Sequence, residues 1–117
     1  MAVIDTKNLR DRILNDTFRS VEFTINVDGS PVDLTGTTIA TEFRFRTKTG
    51  TVVKSVNNSA GMTITDAVNG VVEIDEFTPV TWSPDTYYYD VQITFTDGTI
   101  KTYVQGTVKI LQDVTDP

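Results

Sequence analysis

The chain has 117 residues, with 10 basic and 16 acidic side chains and a formal net charge of −6. It contains no Cys and no His, which excludes disulfides, zinc fingers, thiol nucleophiles and every Ser-His-acid triad. The acidic balance also argues against nucleic-acid binding, whose affinity is mostly electrostatic. We therefore expect one compact domain that is not an enzyme and holds no cofactor and no metal ion.

The composition favours β-structure. Thr occurs 21 times, Val 15 times and Ile 9 times, so β-branched residues dominate the apolar and hydroxyl positions. These side chains fit a pleated, half-buried surface better than a helix. The composition thus predicts an all-β domain.

Residues 5–15 are the one stretch with helical character, because Leu9 and Ile13 are spaced i, i+4 and Leu14 follows. About ten residues are too few for a helix that is stable alone, so this segment must dock on something. It either lies on its own domain or reaches a neighbouring subunit as an arm. Residues 1–20 carry a net charge of +1 against −7 for the rest, which favours head-to-tail contacts. We assign residues 1–16 to this N-terminal arm or short helix.

Apolar and polar residues alternate with a period of two from Phe18 onward, and turn signals separate the alternating runs. The predicted strands lie near residues 18–27, 32–34, 39–46, 51–56, 62–64, 72–74, 87–95 and 99–111. On the strand after Asp85, the face opposite the core carries Tyr88, Asp90 and Gln92. Gly106 falls in the middle of the last strand, where it predicts a bulge or close packing.

Clean alternation indicates antiparallel sheets with one solvated face each. Seven to eight short strands in about 100 residues predict an immunoglobulin-like antiparallel β-sandwich. We place this sandwich at residues 17–112, followed by a C-terminal tail at residues 113–117. No targeting signal and no membrane-spanning run is expected, because no apolar stretch approaches about 20 residues.

Few side chains suggest chemistry. Asp75 and Glu76 are adjacent but lack the spacing of a Ca²⁺ loop. Together with Asp90 they are the candidates for glycoside hydrolysis, the least favoured hypothesis, because no pair has a geometry defined by the sequence. Glu42, Arg44 and Arg46 form a charged stripe typical of a solvated face or a protected strand edge.

Several turn-and-strand signatures occur in a fixed order. They are Asp33-Leu34-Thr35-Gly36, Asn69-Gly70-Val71-Val72-Glu73-Ile74, Pro84-Asp85-Thr86-Tyr87-Tyr88-Tyr89-Asp90, Asp97-Gly98, Gly106-Thr107-Val108-Lys109-Ile110 and Asp113-Val114-Thr115. This series resembles the immunoglobulin-like domain of tailed-phage virion proteins, notably the N-terminal domain of the baseplate upper protein family. The resemblance spans about residues 16–115.

The resemblance implies a structural virion protein, an adaptor in the tail, baseplate, neck or on the head surface. Its partners would be other virion proteins, in a homo-oligomer or a multi-copy assembly, with no nucleic acid and no membrane. It would be assembled in the host cytoplasm and located in the virion. The alternative is a decoration or fibre module that binds host-surface glycans weakly, using exposed tyrosines.

The residues expected to contact partners belong to the arm, the open sheet faces and the tail. They are Ile4, Leu9, Ile13, Leu14, Arg44, Arg46, Tyr88, Tyr103, Asp113 and Val114.

Overall fold

The structure, a computed structural model, describes residues 5–14, 16–79 and 82–113. These ranges form eleven strands and no helix. The strands are β1 (Asp5–Thr6), β2 (Arg12–Ile13), β3 (Val21–Thr24), β4 (Asn26–Val27), β5 (Ser30–Pro31), β6 (Thr38–Phe45), β7 (Val52–Asn57), β8 (Met62–Asp66), β9 (Val71–Ile74), β10 (Asp85–Thr94) and β11 (Ile100–Leu111). Seven of them have at least four residues, which agrees with the predicted number.

Two sheets enclose the core. The large sheet has the order β1-β11-β10-β6-β7, with β2 also paired to β11. The small sheet has the order β3-β9-β8, and β4 and β5 form a separate hairpin. The prediction of an all-β, immunoglobulin-like sandwich is confirmed.

The long strands follow from the alternating sequence. In β10, Tyr87, Tyr89, Val91 and Ile93 are buried, while the residues between them are half-buried or exposed. β10 pairs antiparallel with β11 on one side and with β6 on the other. It is therefore the central strand of the large sheet. Its core-facing side chains are aromatic or aliphatic, and those on the other face are mostly polar.

Aromatic rings fill one region of the core. Phe43 of β6 is fully buried, and its ring centroid lies 5.4 Å from Trp82, 5.7 Å from Tyr89 and 6.0 Å from both Phe18 and Phe77. Phe18 and Phe77 stack at 4.6 Å, and their backbones exchange hydrogen bonds of 2.6 and 3.0 Å. This aromatic cluster joins the large sheet to the two segments that flank the small sheet.

The expected helix at residues 5–15 is wrong for the residues that the structure describes. Residues 5–14 contain β1 and β2, which run parallel to β11, and the Lys7 and Leu9 amides donate 2.8 Å hydrogen bonds to the carbonyls of Gln105 and Thr107. The open edge of β11 offers every one of these amides a partner. Sheet pairing of this kind outweighs the local helical spacing in a segment too short to be a stable helix.

The expected outward position of Tyr103 is also wrong. In the pairing of β10 with β11, Val91 lies opposite Val104 and Gln92 opposite Thr102, so Tyr103 is the extra residue of a β-bulge. The bulge reverses the alternation, which leaves Ile100 exposed and turns Tyr103 inward. Tyr103 is 6% exposed and its ring meets that of Phe95 edge-on at 6.4 Å.

Gly106 confirms the expectation of close packing. A Cβ atom at this position would lie 2.0 Å from the Lys7 carbonyl oxygen. The Tyr89 hydroxyl donates a hydrogen bond to the same oxygen. The absent side chain therefore lets the N-terminal segment lie directly on β11.

Candidate functional site: a polar groove on the outer face of the large sheet

The face of the large sheet that points away from the core forms a groove of about 560 Å³. Side chains from β6, β10, β11 and the N-terminal segment line it, and the loop between β6 and β7 closes one side. Its polar lining residues are Thr6, Asn8, Glu42, Arg44, Lys48, Thr49, Tyr88, Asp90, Gln92, Gln105 and Thr107. We call this site the outer-face groove.

Strand register places the lining residues in rows. Tyr88 of β10 lies opposite Arg44 of β6 and Thr107 of β11. Asp90 lies opposite Gln105 in the next outward row. The groove floor is therefore a regular array set by the sheet, and rigid sheets hold such arrays more precisely than loops do.

The wall of the groove comes from a sharp change of direction after β6. Arg46 adopts a left-handed conformation with φ of 66°. Its guanidinium forms a 2.7 Å ion pair with Asp85 and does not line the groove. The chain then folds back, so that Lys48 Nζ donates a 3.5 Å hydrogen bond to Gln105 Oε1 across the sheet. The turn thereby brings Lys48 and Thr49 over the outer face.

Hydrogen bonds hold the cationic side chains of the groove. Arg44 donates to Glu42 Oε1 at 3.0 Å and to the Gly50 carbonyl at 2.9 Å. The Ser55 hydroxyl donates to the other Glu42 oxygen at 3.4 Å. These contacts fix Arg44 and Glu42 before any ligand arrives, so the ordering cost of binding at this wall is reduced.

Asp90 differs from its neighbours. It is half-buried on the floor, and among the described residues its carboxylate forms no hydrogen bond and no salt bridge. Burial raises the pKa of this carboxyl group, the negative charge of Glu42 raises the pKa further, and Arg44 opposes both effects. The fold thus keeps an acidic group where its charged form is unfavourable, and perturbed groups of this kind cluster at functional sites.

We expect Asp90→Asn to raise the free energy of unfolding at neutral pH by about 0.5–1 kcal/mol, a range that allows for screening by water at a half-buried site. The folded-state pKa of Asp90 is raised, so its charged form destabilises the fold at neutral pH. That penalty disappears as the pH falls through the raised pKa. The extra stability of Asp90→Asn over wild type should therefore become smaller as the pH falls.

Urea unfolding of wild type and Asp90→Asn over a pH series measures this difference. Asp11→Asn, which removes an exposed carboxylate outside the groove, is the control for net charge. A lower stability of Asp90→Asn at neutral pH would show that Asp90 has a structural role.

Of the eight expected partner contacts that lie within the described residues, the outer-face groove brings together Arg44 and Tyr88. Both are half-buried. The charged stripe on β6 is therefore the groove wall, and Arg46 leaves it at the turn. Glu42, Asp90 and Gln105 are lining residues that the sequence analysis did not assign to a binding site, although strand alternation places Asp90 beside Tyr88 on the outward face.

The expected contact residues of the arm lie in different environments. Leu9 is buried in the core, and Leu14 packs against it but is half-buried. Ile13 is 43% exposed. Ile4 falls outside the described residues. The expectation of an apolar contact face on the arm is wrong for Leu9, because its side chain is part of the domain's own core, and it stays a prediction for Ile13 and Leu14.

The other residues expected to contact partners are Tyr103, Asp113 and Val114. Tyr103 is buried and cannot contact a partner. Asp113 is half-buried and accepts a 3.0 Å hydrogen bond from Gln112 Nε2, and Val114 lies outside the described residues.

The candidates for glycoside hydrolysis are not assembled into one site. Asp75 follows β9 of the small sheet and accepts a 2.8 Å hydrogen bond from Thr63, whereas Asp90 belongs to the large sheet.

Within residues 5–14, 16–79 and 82–113, no group of three His, Cys, Asp or Glu side chains is placed to hold a metal ion. The same ranges contain no helix long and apolar enough to span a membrane.

No protein-family model and no curated protein matches the chain. Among solved structures, the chain is similar to the crystal structure of CopC from Methylosinus trichosporium OB3b, with a TM-score of 0.51 and 12% identity. The match covers 92% of this chain and 89% of CopC. At this identity, the likeness shows the fold.

The expected function needs correction. The resemblance implied a structural component of a tailed-phage virion, with a decoration or fibre module that binds host-surface glycans weakly as the alternative. A solved structure that shares the fold is CopC from Methylosinus trichosporium OB3b, and this similarity points away from a virion role. The turn-and-strand signatures are shared by immunoglobulin-like sandwiches of many functions, so they define the fold and not the role.

Proposed function

We propose that this protein is a non-enzymatic binding module that holds a small polar ligand in the outer-face groove. The observation that carries this proposal is Asp90, a half-buried carboxylate on the groove floor that has no hydrogen-bond partner among the described residues. Asp90 is half-buried and its oxygens still meet solvent, so a ligand donor at the groove floor would replace water at a carboxylate that has no protein partner among the described residues.

The volume and the chemistry of the groove support a ligand of modest size. About 560 Å³ lies within the range of small-molecule sites, and the lining combines two tyrosines, three amide side chains, hydroxyls and charges of both signs. Polar groups in such numbers give orientation and specificity. The groove is open to solvent along one side, which suits reversible binding.

We do not propose a transition-metal site in this chain, and from CopC we carry over the fold alone. The chain has neither His nor Cys, the side chains that supply most nitrogen and thiolate ligands for copper. The likeness to CopC therefore supports the sandwich framework on which the groove is built, and the groove chemistry supports a different ligand.

Thermal unfolding with a panel of small probes tests the binding function. Agmatine, erythritol and succinate represent cationic, neutral and anionic ligands, and a ligand that binds only the folded state raises the midpoint. We expect at least one probe to raise the midpoint of wild type and to have no such effect on Asp90→Asn and Tyr88→Ala. The probe should be recovered chemically unchanged.

Asp11→Asn again serves as the control, because its side chain is exposed and lies outside the groove. If no probe raises the wild-type midpoint, or if both groove variants respond as wild type does, the groove is not the binding site.

A further inference from the structure

Resting on the binding function proposed above, we infer that the ligand of the outer-face groove carries an organic cation, an alkylammonium or guanidinium group, which binds against Asp90 beside the ring of Tyr88. Three observations support this inference. The cations of the groove already have partners, Asp90 has none among the described residues, and a cationic donor would satisfy Asp90.

The cations of the groove are already engaged. Arg44 is bound by Glu42 and by the Gly50 carbonyl, and Lys48 donates to Gln105. An anionic ligand would have to compete with these contacts. The cations of the groove therefore already have partners within the fold, whereas Asp90 has none among the described residues.

The floor carboxylate is not engaged. An ionised Asp is only an acceptor, so a ligand must bring the hydrogen-bond donor to Asp90. A charged donor forms a stronger bond to a carboxylate than a neutral one does. The nearby negative charge of Glu42 would favour a ligand cation, whereas the positive charge of Arg44, which is paired with Glu42 at 3.0 Å, opposes it. Asp90 adds the second negative charge of this part of the groove.

Two further features favour a cation. Tyr88 precedes Asp90 by two residues on the same face of β10, so its ring stands beside the carboxylate, and aromatic faces attract ammonium and guanidinium groups. The chain as a whole carries a net charge of −6, which attracts cationic ligands over a distance. Acceptors on Gln92 and Gln105 lie on the same floor for a second donor of the ligand.

Isothermal titration calorimetry tests the inference with agmatine and n-butylammonium against 1-butanol, a neutral molecule of similar shape. We expect both cations to bind, 1-butanol to bind at least about tenfold more weakly, and Asp90→Asn to lose about tenfold in affinity for the cations. Asp11→Asn should bind as wild type does. Since removing the charge at Asp90 is expected to stabilise the fold, loss of binding in that variant will not reflect unfolding.

A blocked tripeptide, acetyl-Ala-Lys-Ala-amide, separates two sources of the cation. Binding of the peptide would indicate a lysine side chain of a protein partner, and binding of agmatine without the peptide would indicate a free small molecule.

Acidification should weaken cation binding at a higher pH than for an ordinary aspartate, because Asp90 must be ionised. The charged or titratable side chains that share the groove with it are Glu42, Arg44, Lys48, Tyr88 and Tyr89.

The inference is overturned if erythritol or succinate binds in a manner that depends on Asp90 and Tyr88 while the cations do not. That outcome would leave the binding function standing with a different ligand. If none of these probes binds to the groove, the proposed binding function fails together with the inference.

Discussion

Replacing Phe43 by alanine is expected to lower the free energy of unfolding by about 4 kcal/mol, the usual range for a large aromatic side chain removed from a core. Phe43 is fully buried and its ring lies within 6.0 Å of four other aromatic rings. The alanine variant leaves a cavity that those rings cannot fill without leaving their own contacts. Because domains of this size are stable by only about 5–15 kcal/mol, the loss is a large part of the total.

Denaturant unfolding of wild type and Phe43→Ala measures this loss. Phe45→Ala is the matched comparison, because Phe45 lies two residues further along the same strand but is only partly buried. We expect it to cost clearly less than Phe43→Ala. Equal losses for the two variants would mean that the aromatic cluster is not the centre of the core.

The second large effect is expected from Gly106→Ala, which should destabilise the fold by about 3 kcal/mol through overpacking and lost hydrogen bonds. The new Cβ would lie 2.0 Å from the Lys7 carbonyl oxygen and 2.6 Å from its carbon, and backbone cannot be displaced cheaply. The N-terminal segment must move away from β11. It would then lose the amide bonds of Lys7 and Leu9 and uncover the buried Leu9 side chain.

Hydrogen exchange at the amides of Lys7 and Leu9, combined with denaturant unfolding, distinguishes this cause from a general weakening of β11. Both amides should lose protection in Gly106→Ala. Lys109→Ala, an exposed position on the same strand, should change stability by no more than about 0.5 kcal/mol. Retained protection at Lys7 and Leu9 in Gly106→Ala would contradict the described docking of the N-terminal segment.

Alternation of apolar and polar residues was sufficient to predict the sandwich. In β10, for example, Tyr87, Tyr89 and Val91 alternate with Tyr88 and Asp90, and the burial follows that order. The pattern is informative because each sheet has one face on the core and one toward solvent. In β10, local sequence therefore determines which face of the strand is buried.

Two errors have a common cause in long-range pairing. The N-terminal segment has helical spacing, but its amides bond to β11, about 100 residues further along the chain. Tyr103 has the spacing of an outward residue, but the bulge opposite Val91 and Gln92 reverses the alternation. Neither the partner strand nor an extra residue in its register leaves a signal within a short window of sequence.

The outer-face groove was predictable only in part. Alternation places Tyr88, Asp90 and Gln92 on one face, and the charged stripe provides Glu42 and Arg44. What makes the face concave is the loop after β6, and that loop depends on a left-handed Arg46. A non-glycine residue in that conformation is uncommon and has no sequence signature. The sequence therefore did not predict that this loop closes one side of the groove.

The most direct test of the central claim, that the outer-face groove binds a cationic ligand at Asp90, is a titration of ¹⁵N-labelled protein with agmatine followed by amide chemical shifts. We predict that the shifts concentrate at Glu42, Arg44, Tyr88, Asp90 and Gln105, and that they vanish in Asp90→Asn. Shifts confined to another surface, or the same shifts in Asp90→Asn, would contradict the claim.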